Sequence, residues 1–421
     1  MNFPKKILFI LTCAYIMLLP LIPEDIKFKG MPFTDLILAL IIFVYIIELV
    51  VSKKGRQNFI KGIIDFFTDK LSIFIIILLI IMFVSTIYAL DKKIALSESA
   101  RFATYVVMYF IIKYELNTRK QINVLLRCYI FISFILSSIG ILQYFTGFAL
   151  AETFKRTNEV GEGIKIASTL LNPNTYGAYL ILIVFPVIVL SIYEKNKKKK
   201  MIYILLSILV FANLIMTFSR NALLGFGLGL VVLMLIYSIK LIFALGGFGI
   251  LILFIPSVFQ RIKDVADINQ NEFRIKLWKT ALMMIKDHPI LGVGNGNYVT
   301  YYRTYVNNYK ELKYFSYQKF PTHNSFLKIQ SELGILGIVS FLGIITMALI
   351  RIKRLYSTTI DKFHKPFYIG VMASMTAFLF MNLSDNLFFV PKATTYFWFL
   401  LATAEALLNN SNEKVFTNNN E

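Results

Sequence analysis

Charge is scarce in this chain. Only 16% of its 421 residues are charged while 57% are hydrophobic, and that balance excludes a soluble protein. Cysteine is nearly absent: Cys13 and Cys128 both fall inside apolar runs, so neither is placed for a structural disulfide or a thiolate metal site. His288 and His323 are not accompanied by carboxylates at ligand spacing, so no metal and no other cofactor is expected. Internal repeats are missing. Low-complexity sequence is confined to the Asn-rich tail after Leu408, which is expected to be disordered. The first apolar run, Ile7 to Ile22, has no small-residue cleavage site behind it and reads as a retained first helix.

What the chain does have is a succession of apolar runs long enough, at roughly 17 to 25 residues, to cross ~30 Å of hydrocarbon. Mean hydropathy is +0.66. The predicted spans are 7–22, 34–51, 71–90, 95–112, 122–144, 176–193, 201–218, 222–238, 241–256, 327–350, 366–383 and 394–408. This is an all-α integral membrane protein of about 12 transmembrane helices. With the N-terminus inside, alternate loops carry Lys53, Lys54, Arg56 and Lys61, then Arg119 and Lys120, the run Lys195 to Lys200, and Arg351, Lys353 and Arg354. Those are the cytoplasmic loops by the positive-inside rule, while the short outer loops Pro23 to Pro32 and Ser384 to Pro391 hold balanced or sparse charge. The net charge of +20 is thus mostly a topology signal with an attraction to anionic headgroups, and no nucleic-acid partner is implied.

Two connections, Phe145 to Thr175 and Ser257 to Phe326, are too long for turns, and both fall on the outer side. The second holds a helix from Glu272 to Asp287, with Trp278, Ala281, Leu282 and Ile285 on an apolar stripe and Glu272, Lys276, Lys279 and Lys286 opposite. That helix reads as lying along the membrane surface. Pro289 stops it, and Gly292, Gly294 and Gly296 form a flexible connector before the Tyr-rich segment Tyr298 to Tyr317. The glycines resemble a phosphate-cradling loop, but no strand precedes them and no helix obviously follows, so a nucleotide site is not expected.

Three residues stand out for chemistry. Arg220 sits in a tight outer turn, the only break in the apolar run Met201 to Tyr237; the plain alternative is an arginine snorkelling to headgroups. Arg274 lies one turn before Trp278 on the apolar stripe instead of among the lysines. Its planar fork suits phosphate oxygens there, unless it merely begins a fraying helix. His323 precedes the span that begins at Leu327, with Asn324 or Ser325 as N-cap. Positive potential at a helix N-terminus favours a neutral imidazole able to accept a proton, although a loop histidine is the simpler reading. Glu332 lies farther along the same helix as an intramembrane carboxylate, with Arg220 as its expected partner.

Four stretches taken together resemble the O-antigen ligase and Wzy-type O-antigen polymerase superfamily: STLLNPN at 168–174; FSRN at 218–221; FRIKLW at 273–278 running into DHPILGVGNGN at 287–297; and THNSFL at 322–327 followed by ELGILG at 332–337. The similarity covers about residues 165 to 345. It implies a GT-C-like helical fold organised as N-terminal helices 1–164, a catalytic region 165–345 that includes the outer loop 257–326, C-terminal helices 346–408 and a tail 409–421. It further implies transfer of a glycan from a polyprenyl diphosphate carrier to an acceptor hydroxyl on a glycan or glycolipid, at the outer face of the plasma (inner) membrane. By resemblance, Arg220 and Arg274 hold the diphosphate, His323 acts on the acceptor, and Asn324 and Glu332 support them. A flippase and chain-length proteins are further implied partners. The helix count alone also fits a solute transporter or a non-catalytic polysaccharide-assembly scaffold, although the inverted repeats and broken midplane helices of transporters are not seen.

The charge pattern predicts that position 196 faces the cytoplasm and position 309 the outside. In intact cells an impermeant thiol reagent is expected to label Tyr309→Cys and not Asn196→Cys; the opposite pattern would invert the topology.

Overall fold

The computed structural model of this protein describes residues 2–23, 26–28, 31–151, 154, 164–237, 268–313 and 320–418. Helices α1 (Phe3–Leu21) and α2 (Phe33–Val51) flank a minimal hairpin in which β1 (Lys27–Phe28) pairs antiparallel with β2 (Met31–Pro32). Next come α3 (Lys53–Thr68), α4 (Lys70–Tyr88), α5 (Lys92–Phe110) with a π-helical turn at Ile111–Glu115, and α6 (Arg119–Thr146). Then follow α7 (Pro173–Tyr193), α8 (Lys197–Met216), α9 (Arg220–Tyr237), α10 (Ile268–Asp287) and α11 (Tyr298–Asn308). Helices α12 (Ser325–Thr358), α13 (His364–Met381) and α14 (Pro391–Asn418) complete the chain. Apart from the tiny hairpin the regular secondary structure of the described residues is helical, and eight helices (α1, α2, α4, α6, α7, α8, α9 and α12) are long and apolar enough to cross a membrane. Helices α5, α13 and α14 occupy three further expected spans. The expected span 241–256 lies outside the described residues, as do residues 257–267 and 314–319 of the long connection and residues 419–421 of the tail.

Local sequence chemistry sets the helix ends. Thr118 and Gln121 form a reciprocal capping box at the start of α6, and Gly147 closes it with φ 65°. Asn172 caps α7 by accepting from the amides of Asn174 and Thr175, with Pro173 in the first helical turn. Burial then sorts the helices. The apolar window of α7 is 83% buried against 22% for α8, so α7 is the centre of the bundle and α8 its rim. The outward side chains of α8, Ile202, Leu205 and Ile208, are exposed and apolar, as a lipid-facing surface requires. Helix α14 reaches Asn418, extending into the segment for which a disordered tail is expected from composition.

One end of the bundle is tied by buried charge that the hydropathy pattern conceals. Lys113, in the π-helical turn, is 3.2 Å from both Asp65 and Glu405, and Arg351 pairs with Asp69 and lies 3.6 Å from Glu405. These contacts join α3, α4, α12 and α14, and compensation of this kind is what makes burial of ionised groups tolerable.

The connector after α10 is not flexible. Residues 292–298 are buried and bonded to a break in α12: Val293 N–H donates to the Ser331 carbonyl, Gly294 N–H to the Glu332 carbonyl, and Ile335 N–H to the Pro289 carbonyl. The break is at Gly334, with φ 65° and ψ −161°, and a Cβ there would run into the Ile290 carbonyl. Only glycine combines that backbone with that approach. Gly334→Ala is therefore expected to destabilise the protein by at least ~2 kcal/mol, seen as a lowered unfolding temperature in detergent. Gly227→Ala, where a Cβ meets open space, is the control and is expected to change little.

Candidate active site

Helix α10 packs against α12 and α11. Its buried face is Leu277, Thr280, Ala281 and Met284, whereas Leu282 of the expected stripe is 53% exposed. The stripe is thus displaced, because the helix is covered by protein on a face that periodicity alone assigns to lipid. Arg274 is half-buried rather than solvent-facing.

His323 sits between α10 and the loop that follows α13. Its Nδ1 is 3.3 Å from Asp385 Oδ1, its backbone carbonyl accepts from Trp278 Nε1 at 3.2 Å, and its ring meets the Phe273 ring edge-on at 6.0 Å. Phe273 is itself held by Phe320 at 4.7 Å. Asp385 also accepts from the Asn386 amide at 2.8 Å. Burial by itself raises the Asp385 carboxyl, but the His323 hydrogen bond and charge, the Asn386 amide and the Arg274 charge together hold it below the ordinary aspartate value. The carboxylate is therefore anionic at neutral pH and gives up its charge only in acid.

Asn324 is the N-cap of α12. Its Oδ1 accepts from the amides of Phe326 and Leu327, its amide group donates to the Leu383 carbonyl, and its backbone N–H donates to Asn386 Oδ1. Ser325 Oγ donates to Asn382 Oδ1 at 2.6 Å. The start of α12 is thus fastened to 382–386, the segment that carries Asp385. The turn bearing Arg220 reaches the same segment: Asn221 donates to the Met381 carbonyl at 2.8 Å, and Ser219 donates to Asn174 Oδ1 at 2.8 Å. The stretches at 168–174, 218–221, 273–278 and 322–325 therefore converge on one end of the bundle.

Backbone conformation marks the same place. Among the described residues five non-glycine positions have positive φ: Ala149, Ser168, Leu171, Phe218 and His323. Four of these five lie in the converging stretches, and such left-handed residues collect where function requires strain.

Glu332 departs from the expectation. It is 1% exposed, and its partner is Lys328, at 2.6 and 2.7 Å, in place of Arg220. It also accepts from the backbone amides of Gly296 at 2.8 Å and Tyr298 at 3.1 Å. The glycine loop does lead into a helix, α11, contrary to expectation. However, the amides that would cradle a phosphate are already taken by this carboxylate, so the loop is a brace rather than a nucleotide site.

Sequence reasoning missed Asp385 and Lys328. The signal for Asp385 was a single acidic residue in the otherwise uncharged loop Ser384 to Pro391. Lys328 had one in its spacing of four from Glu332, the distance at which helix side chains meet. Among the described residues no group of three or more His, Cys, Asp or Glu is placed to hold a metal ion.

No curated protein matches the chain. Residues 205–342 match the family model described as O-antigen ligase, a region that includes Arg220, Arg274, His323 and Glu332. The match supports the superfamily of O-antigen ligases for that part of the chain, and the long apolar helices support a multi-pass membrane protein.

Proposed function

We propose that this protein transfers a glycan from a polyprenyl diphosphate carrier to an acceptor hydroxyl of a glycan or glycolipid, at the extracytoplasmic face of the plasma (inner) membrane. The observation that carries the reading is the His323–Asp385 pair with Arg274 close enough for its charge to act on the carboxylate. Asp385 accepts from Nδ1–H, which fixes the tautomer and leaves the Nε2 lone pair for the acceptor. The acceptor oxygen then bonds to the anomeric carbon as its proton passes to Nε2, and the bond from that carbon to the diphosphate oxygen breaks. Diphosphate is already a good leaving group, so charge stabilisation by Arg220 and Arg274 with one base suffices. Asn324 supports the base by anchoring its loop to 382–386, and Glu332 by bracing the segment between α10 and α11.

The roles are separable with purified lipid-linked glycan as donor. Arg220→Lys and Arg274→Lys keep charge but lose the fork. They are expected to lower transfer by about 10²-fold and to weaken donor binding. His323→Ala is expected to leave donor binding nearly unchanged and to lower turnover by about 10³-fold, with the acid limb of the pH–rate profile abolished. A folded His323→Ala protein that transfers at near the wild-type rate would reduce His323 to a loop residue.

Asp385→Asn removes the carboxylate that orients the ring. Turnover is expected to fall by about 10²-fold or more while donor binding holds. Asp385→Glu is expected to recover part of the rate. Unchanged turnover in Asp385→Asn would show the aspartate to be structural only.

A further inference from the structure

At the opposite end of α12 from His323 lies a cavity of about 670 Å³, in the size range of small-molecule sites. Its position follows from the charge network: Arg351, near the far end of α12, shares Asp69 and Glu405 with Lys113, and Glu115 of the same π-helical turn lines the cavity. The other polar walls include Asn2 and Lys5 of α1, Glu48 at the end of α2, Lys54 of α3 and Lys120 of α6.

The charges in this cavity do not cancel in place. Lys5 and Glu115 neutralise each other at 2.5 Å, and Asn58 adds a hydrogen bond to Glu115. Glu48 is different. It is 1% exposed, and its two oxygens share the single amide group of Asn2, each at 3.0 Å. Among the described residues no lysine or arginine pairs with it. A carboxylate offers about four acceptor positions, and a buried one without a cation is costly. Lys54 and Lys120, by contrast, are exposed where they line the cavity. Among the described residues Glu48 therefore has no paired cation in the wall, while Lys54 and Lys120 stand exposed at the rim. Phe9 and Val124 add apolar lining.

We propose that this cavity binds a phosphoethanolamine group, with the primary ammonium donating to Glu48 and the phosphate meeting Lys54 and Lys120. A primary ammonium carries three donors for the unused lone pairs of Glu48, and a phosphate has enough oxygens to meet two lysines. The group has two sources, the headgroup of an ethanolamine phospholipid, whose chains would lie along the apolar lining, and the free phosphate ester.

The test uses the full-length protein in detergent, probed by native mass spectrometry with phosphatidylethanolamine, phosphatidylcholine and phosphatidylglycerol, and by calorimetry with O-phosphoethanolamine. Phosphatidylethanolamine is expected to be retained over phosphatidylcholine, whose quaternary nitrogen has no N–H, and over phosphatidylglycerol, which has no amine. Glu48→Gln keeps the shape of the wall and is expected to weaken binding by about tenfold and erase that preference, the size of one lost charge-assisted hydrogen bond. Lys54→Ala with Lys120→Ala, at exposed positions, is expected to weaken binding comparably without lowering the unfolding temperature. Binding of the free ester but not the lipid would support the group and make its source soluble. Equal retention of phosphatidylglycerol, no binding of either source, or selectivity unchanged in Glu48→Gln would overturn the proposal.

Discussion

The buried Lys328–Glu332 pair is the contact on which the arrangement of the candidate site depends. Both residues sit inside α12 with their side chains buried, and the pair is worth keeping because each partner removes the penalty of the other. Glu332 does a second thing. By accepting from Gly296 and Tyr298 it binds the segment between α10 and α11 to the helix that begins at Ser325, just after His323. The broken backbone at Gly334 opens the amide of Ile335 to Pro289, so the same few residues lose one helical bond and gain a connection across the fold. Removing either charge would leave the other stranded, at a cost of about 3–5 kcal/mol. Helix α10 would lose its fixed hinge, and with it the Trp278 contact that holds His323 from behind.

The two ends of the bundle use charge for different purposes. At the end carrying Lys113 and Arg351, carboxylates from α3, the α3–α4 junction and α14 converge on two cations and stitch the fold. At the His323 end the charges are distributed one to an element: Arg220 at the start of α9, Arg274 on α10, and Asp385 after α13. The first arrangement pairs its cations with carboxylates inside the fold.

How much of this was legible in the sequence follows from the range of the interaction involved. Apolar runs and caps are local, so every expected span inside the described residues coincides with a helix, and Asn324 caps α12. The motif residues Arg220, Arg274 and His323 were visible because each breaks a local pattern. Asp385 was not, since 62 positions separate it from His323 and nothing in the intervening sequence records that α13 returns to the start of α12. The displaced stripe of α10 has the same origin: Leu277 and Met284 are buried by α11 and α12, whose position periodicity does not contain. Glu48 was overlooked for the opposite reason, lying at the end of an apolar run where a carboxylate reads as the polar boundary of a span.

The left-handed backbone at Ser168, Phe218 and His323 has a consequence for how the protein withstands stress. Each such residue stores on the order of 1–3 kcal/mol that surrounding contacts must offset. The bundle core around α7 carries no such load, so the two regions do not share one margin of safety. Heat or a harsh detergent would release the strained turns while the helices stay packed. Preparations would then look intact by helix content after the geometry around His323 has relaxed, and a helical signal would be a poor certificate of a competent enzyme.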